Sequence, residues 1–143
     1  MTEDRKTIES QLKAEVVPFI RERGFKGSFP DFYRENEDCV CLANFQFYSS
    51  GGSFCVNLSY ADPMRKNFYF RPETEAKKLK VSQTNEQIRL GSNGPNSDHW
   101  FSFGKTSYGE YRGQPLLPRE IVSQVQSLWE SQAETWWAVK CAK

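Results

Sequence analysis

The sequence predicts an α+β fold: a single domain over residues 1–143 in which an antiparallel β-sheet packs against N-terminal and C-terminal helices. Three observations predict it. A helical-period apolar stripe occupies residues 3–23, and a second begins at Pro118. Between them the chain alternates with period two on either side of a Ser-Ser-Gly-Gly cluster. A chain of 143 residues can bury its own core, and 11 Phe with 4 Trp make that core aromatic-rich.

In the first helix Ile8, Leu12, Val16, Phe19 and Ile20 form the stripe, Thr2 is the expected N-cap, and Gly24 the expected stop. Pro18 conflicts with this helix: it removes a backbone donor, so a kink or break is expected there. Phe32-Tyr33-Arg34 then suggests a short strand, and Glu35 to Asp38 an acidic turn.

Residues 39–48 and 53–60 form the central hairpin. A four-residue loop pairs Tyr48 with Ser53, which sets Phe47 opposite Phe54, Phe45 opposite Val56, Ala43 opposite Leu58 and Cys41 opposite Tyr60. Those residues and Cys39 are the expected core face. The other face carries Asn44, Gln46, Tyr48, Ser53, Cys55, Asn57 and Ser59, with Leu42 as an apolar exception. Asn is disfavoured in strands because its amide competes for backbone hydrogen bonds, so Asn44 beside Asn57 implies that these amides bond something.

Beyond Tyr60 the pattern weakens. Residues 67–72 form an aromatic run, and 73–80 a charged segment with one or two expected helical turns. Residues 85–91 alternate as a strand with Ile88 and Leu90 inward and Gln87 and Arg89 outward. After the turn-forming GSNGPNSD, residues 99–105 form the expected answering strand. A Gly- and Pro-rich loop over 106–117 leads to Pro118 at the first position of the last helix. Its stripe is Ile121, Val122, Val125, Leu128 and Trp129, its end is expected between Ser131 and Trp137, and Trp136, Trp137 and Val139 are expected to cap the core or seal a helix end.

Mean hydropathy is −0.70 and no apolar run reaches membrane-spanning length. The charged opening MTEDRKTIES does not resemble a secretory signal, so a cytoplasmic protein is expected. A net charge of +1 argues against a broad nucleic-acid or membrane footprint. The four cysteines, Cys39, Cys41, Cys55 and Cys141, are expected to be free thiols in that compartment.

The segments VVPFIRERGFKG, FYRENEDCVCLANFQF, GGSFCVNLSY, QIRLG and DHWFSFG occur in this order. Together they resemble the domain of unknown function 4304 family of small bacterial proteins, over about residues 8 to 104. The matching positions are Gly24-Phe25-Lys26, Asn44-Phe45-Gln46, Val56-Asn57-Leu58, Arg89-Leu90-Gly91 and Asp98-His99-Trp100-Phe101. The long segment between Tyr60 and Asn85 departs from the family pattern. The resemblance implies a compact α+β fold and no known activity, and it marks Asn44, Gln46, Asn57 and Arg89.

These four residues with Trp100 are the candidate binding site. Amides and a guanidinium suit recognition of a carboxylate, a phosphate or a peptide backbone; they do not titrate near neutral pH and so do not suit proton transfer. The structural alternative pairs Arg89 with Glu37, Asp38 or Asp98. No catalytic residue, metal site or cofactor is expected. His99 is the one histidine, and Cys39-x-Cys41 lacks further evident ligands, so core thiols are the expectation there. Three functions follow. The first is a non-enzymatic protein-interaction module of regulatory or immunity type, with an exposed Trp/Tyr patch near Trp100, Tyr108 or Tyr111. The second is a small-ligand binder or enzyme with a cleft over the same face. The third is nucleic-acid binding through residues 65–80.

Overall fold

The computed structural model describes residues 3–37, 39–62, 75–84, 86–94 and 97–142. The expected Thr2 cap, the aromatic run at 67–72 and the basic residues 65–74 lie outside them.

Helix α1 (Glu3–Gln11) continues through a π turn at Leu12–Val16 into α2 (Val17–Glu22). The π turn is how the chain accommodates Pro18. The Val17 N–H reaches back to the Leu12 carbonyl, five residues earlier, so the register shifts just before the residue that has no donor. The stripe survives the shift: Ile8, Leu12, Val16 and Ile20 are fully buried.

The sheet comprises β1 (Lys26–Ser28), β2 (Asp31–Glu35), β3 (Val40–Phe47), β4 (Ser53–Ala61), β5 (Gln87–Arg89) and β6 (Phe101–Ser102). Its order is β1-β2-β3-β4-β5, all antiparallel, with β6 also on β4. The β3–β4 register is the expected one, Phe47 to Phe54 through Cys41 to Tyr60, because that register puts Phe45, Phe47, Phe54, Val56 and Leu58 together on one face. Two strand expectations are corrected. Strand β1 was not foreseen. The answering strand over 99–105 is only β6, and it pairs with the start of β4 rather than with 85–91: Ser53 faces Ser102 and Phe54 faces Phe101. Both β5 and β6 run antiparallel to β4, so they follow one another in the same direction instead of forming a hairpin.

Helix α3 (Pro118–Leu128) passes through a second π turn (Trp129–Ala133) into α4 (Glu134–Lys140), so the C-terminal helix runs beyond its expected end. Trp129 and Trp137 are buried with Phe25 between the helices and the sheet. Trp137 Nε1 donates to the Ser59 carbonyl at 2.8 Å, which satisfies a buried indole. Val139 is 67% exposed and seals nothing, contrary to expectation.

The expected free thiols are corrected as well. Cys39 and Cys141 form a disulfide that ties the approach to β3 to the end of α4, while Cys41 and Cys55 are free and buried. Leu42, the apolar exception, belongs to a second small core on the far side of the sheet with Val40, Ala61, Ala76, Leu79 and Val81. Two short 3₁₀ turns, Ala76–Lys78 and Val81–Gln83, supply its lid.

Candidate functional site

The far face of the sheet is thus divided. One end lies under the segment 75–84, and the amide-rich remainder opens as a cleft of about 460 Å³ lined by Asp31, Asn44, Gln46, Asn57, Lys80 and Arg89 with neighbours from 81–87. Cross-strand pairing creates it: Asp31 lies opposite Asn44, Asn44 opposite Asn57, and Asn57 opposite Arg89. Adjacent strands therefore present a polar row perpendicular to their direction.

A chain of hydrogen bonds runs along this row. Asn44 Nδ2 donates to Asp31 Oδ1 at 2.8 Å. Asn57 Nδ2 donates to Asn44 Oδ1 at 3.1 Å and to Gln46 Oε1 at 2.9 Å. Arg89 Nε donates to Asn57 Oδ1 at 3.2 Å. The mid-strand amides thus bond one another, and Asn57 is saturated. Asn44 and Asn57 are nevertheless half-buried rather than sealed, and Gln46 is exposed. Lys80 Nζ lies 3.4 Å from Asp31 Oδ2 and closes the other end of the row.

Arg89 links the row to an aromatic rim. Its Nη1 donates to Asp98 Oδ1 at 2.5 Å, so of the acidic partners weighed from the sequence Asp98 is the one used. Asp98 also accepts from Trp100 Nε1 at 2.9 Å. The guanidinium carbons of Arg89 and Arg112 stand 4.9 and 4.7 Å from the Trp100 ring centre, a cation–π arrangement. Tyr48 meets Trp100 edge-on at 5.5 Å, and its hydroxyl is 3.2 Å from that of Tyr108. Tyr108 and Tyr111 are 54% and 49% exposed, so the expected aromatic patch is present on the 106–117 loop. Asn44, Gln46, Asn57 and Arg89 are brought together in the cleft, and Trp100 stands at its margin. Asp31, Lys80 and Arg112 also belong to the site. Nothing in their local sequence marked them.

The second π turn positions Arg89. Gln132, within that turn, accepts from the Gly91 N–H at 2.5 Å and donates to the Ser92 carbonyl at 2.8 Å, which pins the chain leaving β5. Gly91 has φ 91°, and a Cβ there would fall 2.6 Å from His99 Cδ2, so the position requires glycine.

Burial is the largest influence on Asp98 and pushes its carboxyl up, but hydrogen bonds from Arg89 and Trp100 outweigh it and hold the group below the usual carboxylate range. Burial pushes the Cys55 thiol up to about 11, so it stays protonated beside Gln46 and Asn57. Burial also lowers His99, with partial compensation from Asp98. His99 packs edge-on to Phe101 at 4.8 Å. Of the three described cations in residues 65–80, Lys77, Lys78 and Lys80, the first pairs with Glu75 and the last with Asp31.

The fold and this site define a small α+β protein with an amide and arginine cleft on an open sheet face. The chain belongs to the family described as Domain of unknown function (DUF4304), whose model matches residues 16–139. No curated protein and no solved structure matches it. Among the described residues, no helix is long and apolar enough to cross a membrane.

Proposed function

We propose that this is a non-enzymatic protein-interaction module, of regulatory or immunity type, which grips an acceptor-rich segment of a partner protein. Supporting this is the hydrogen-bond arithmetic of the cleft. The Asn57 amide is consumed internally, whereas Gln46 is exposed and uses its oxygen as the acceptor, and Arg89, bonded through Nε and Nη1, stacks on Trp100 beside Arg112 and Tyr48. Donors framed by Tyr, Trp and Arg suit a carboxylate or backbone carbonyl of a peptide, and those three residue types dominate protein-binding hot spots. A cytosolic compartment is part of this proposal and requires Cys39 and Cys141 to be reduced there, since disulfides are rare in the cytosol.

The test is affinity capture from the source cell extract with wild type and Gln46→Ala/Arg89→Ala, both verified as folded by circular dichroism. A protein retained by wild type and lost by the variant, then rebinding in purified form, supports the reading. Identical captures would move the interface off this face. The size of the cleft favours a second reading, a small carboxylate ligand in the same place. A thermal shift with free dicarboxylates that disappears in Arg89→Ala would select it.

A further inference from the structure

Three cysteines distant in sequence converge away from the amide cleft. Cys39 and Cys41 project from one face of the strand, and Cys141 arrives from the end of α4. The three Sγ atoms all lie within 4.8 Å of one another. Cys39 and Cys141 are joined, and Cys41 is a free thiol beside them. The sequence suggested core thiols here, because Cys39-x-Cys41 alone offers only two ligands and the third comes from the other end of the chain.

Once the Cys39–Cys141 bond is reduced, the joined edge must open for the triangle to take one metal ion, and the other sulfurs already stand within 4.8 Å. Thiolates at about 2.3 Å from a tetrahedral zinc stand roughly 3.8 Å from each other. An ion pair holds the neighbouring sulfur in place. Arg34 Nη2 donates to Cys41 Sγ at 3.6 Å. Glu134 holds that guanidinium through two bonds of 2.9 and 2.7 Å, and the Arg23 carbonyl through a third of 3.0 Å. Three thiolates around a divalent cation carry a net charge of −1; the Arg34–Glu134 pair is neutral overall, so its part is to orient Cys41 Sγ through the donated hydrogen bond rather than to offset that charge. A pocket of about 490 Å³ lined by Arg34, Cys41, Glu134, Trp137 and Cys141 gives access and leaves room for a fourth ligand from solvent.

We propose that the reduced protein binds one thiophilic d¹⁰ cation, zinc in the first instance, through the Sγ atoms of Cys39, Cys41 and Cys141. Three S–H bonds break, three sulfur–metal bonds form, and three protons pass to solvent. The disulfide and the metal use the same sulfurs, so each excludes the other.

The experiment treats the full chain with a phosphine reductant, removes the reductant, and titrates with Co²⁺ as the probe. The expected result is a thiolate-to-cobalt charge-transfer band that saturates at one equivalent and is erased by Zn²⁺. Cys41→Ser should weaken binding at least tenfold, Cys55→Ser should leave it unchanged, and the unreduced protein should show no band. A folded, reduced protein without a saturable band overturns the proposal, as does a cobalt affinity that Cys41→Ser leaves unchanged. Should reduction unfold the chain, recovery of the native circular dichroism by equimolar zinc supports the site, and failure to recover overturns it.

Discussion

Removing the Cys39–Cys141 disulfide tests how the C-terminal helix is held. The two residues are 102 apart in sequence, so the bond closes a long loop in the unfolded chain. In the chain-entropy treatment, a loop of that length loses about 16 cal/mol/K, or about 4.7 kcal/mol at 25 °C. The comparison belongs in a Cys41→Ser background, where Cys41 cannot take the vacated place by pairing with Cys39. Urea unfolding of Cys41→Ser against Cys41→Ser/Cys141→Ser should then show a loss of about 4–5 kcal/mol. For slopes of about 1.5–2 kcal/mol/M that lowers the midpoint by about 2–3 M, and the slope itself rises as the denatured chain expands. A loss below about 1 kcal/mol would refute this reasoning and show that burial of Trp129 and Trp137 fixes the helix without the covalent tie.

Three further outcomes are expected. Leu42→Ala empties the second small core, should cost about 2–4 kcal/mol, and should accelerate amide exchange at Val81–Thr84 more than at Phe54–Leu58; uniform acceleration would mean that the lid is not held by Leu42. Gly52→Ala places a Cβ 2.7 Å from the Gly104 carbonyl at φ 85°, and should lower stability by about 2 kcal/mol or more in thermal melts, an effect that Gly51→Ala, with open space around it, should show only in part. Burial lowers the His99 pKa, so the unfolded chain takes up this proton first as pH falls, and the His99 contribution is intact above about 6.5 and lost below it. Wild type should therefore lose more stability than His99→Gln between pH 7.5 and 5.5, and parallel losses would refute it.

The hairpin was legible because Phe45, Phe47, Phe54 and Val56 alternate strictly around a loop rich in Ser and Gly, and one register satisfies them all. That same alternation isolated Asn44, Gln46 and Asn57, and the β5 pattern added Arg89. The lid at 75–84 was not legible, since Ala76, Leu79 and Val81 are three apolar residues scattered among charges, with no period to reveal a buried side. Leu42 was the one trace of it, an apolar residue on a polar face that required a cover. Pairing of β6 was misread because a turn-rich segment suggests a local reversal, whereas β4 is long enough to receive both β5 and β6 on one edge. The meeting of Cys39, Cys41 and Cys141 depends on where α4 ends, which no local pattern encodes. Asp31, Lys80 and Arg112 joined the site through register and loop closure in the same way.

The shared edge of β4 has a consequence for how a partner can dock. Strand β4 is nine residues long, but β5 occupies it at Asn57–Ser59 and β6 at Ser53–Phe54. The outermost described strands, β1 and β5, are three residues each. An incoming extended peptide therefore finds margins of backbone too short to template a new strand, which also protects the molecule from edge-to-edge self-association. Any partner of this sheet must lie across its face and be read by side chains, so discrimination rests on the width of the opening between Lys80 and Arg89 rather than on main-chain pairing.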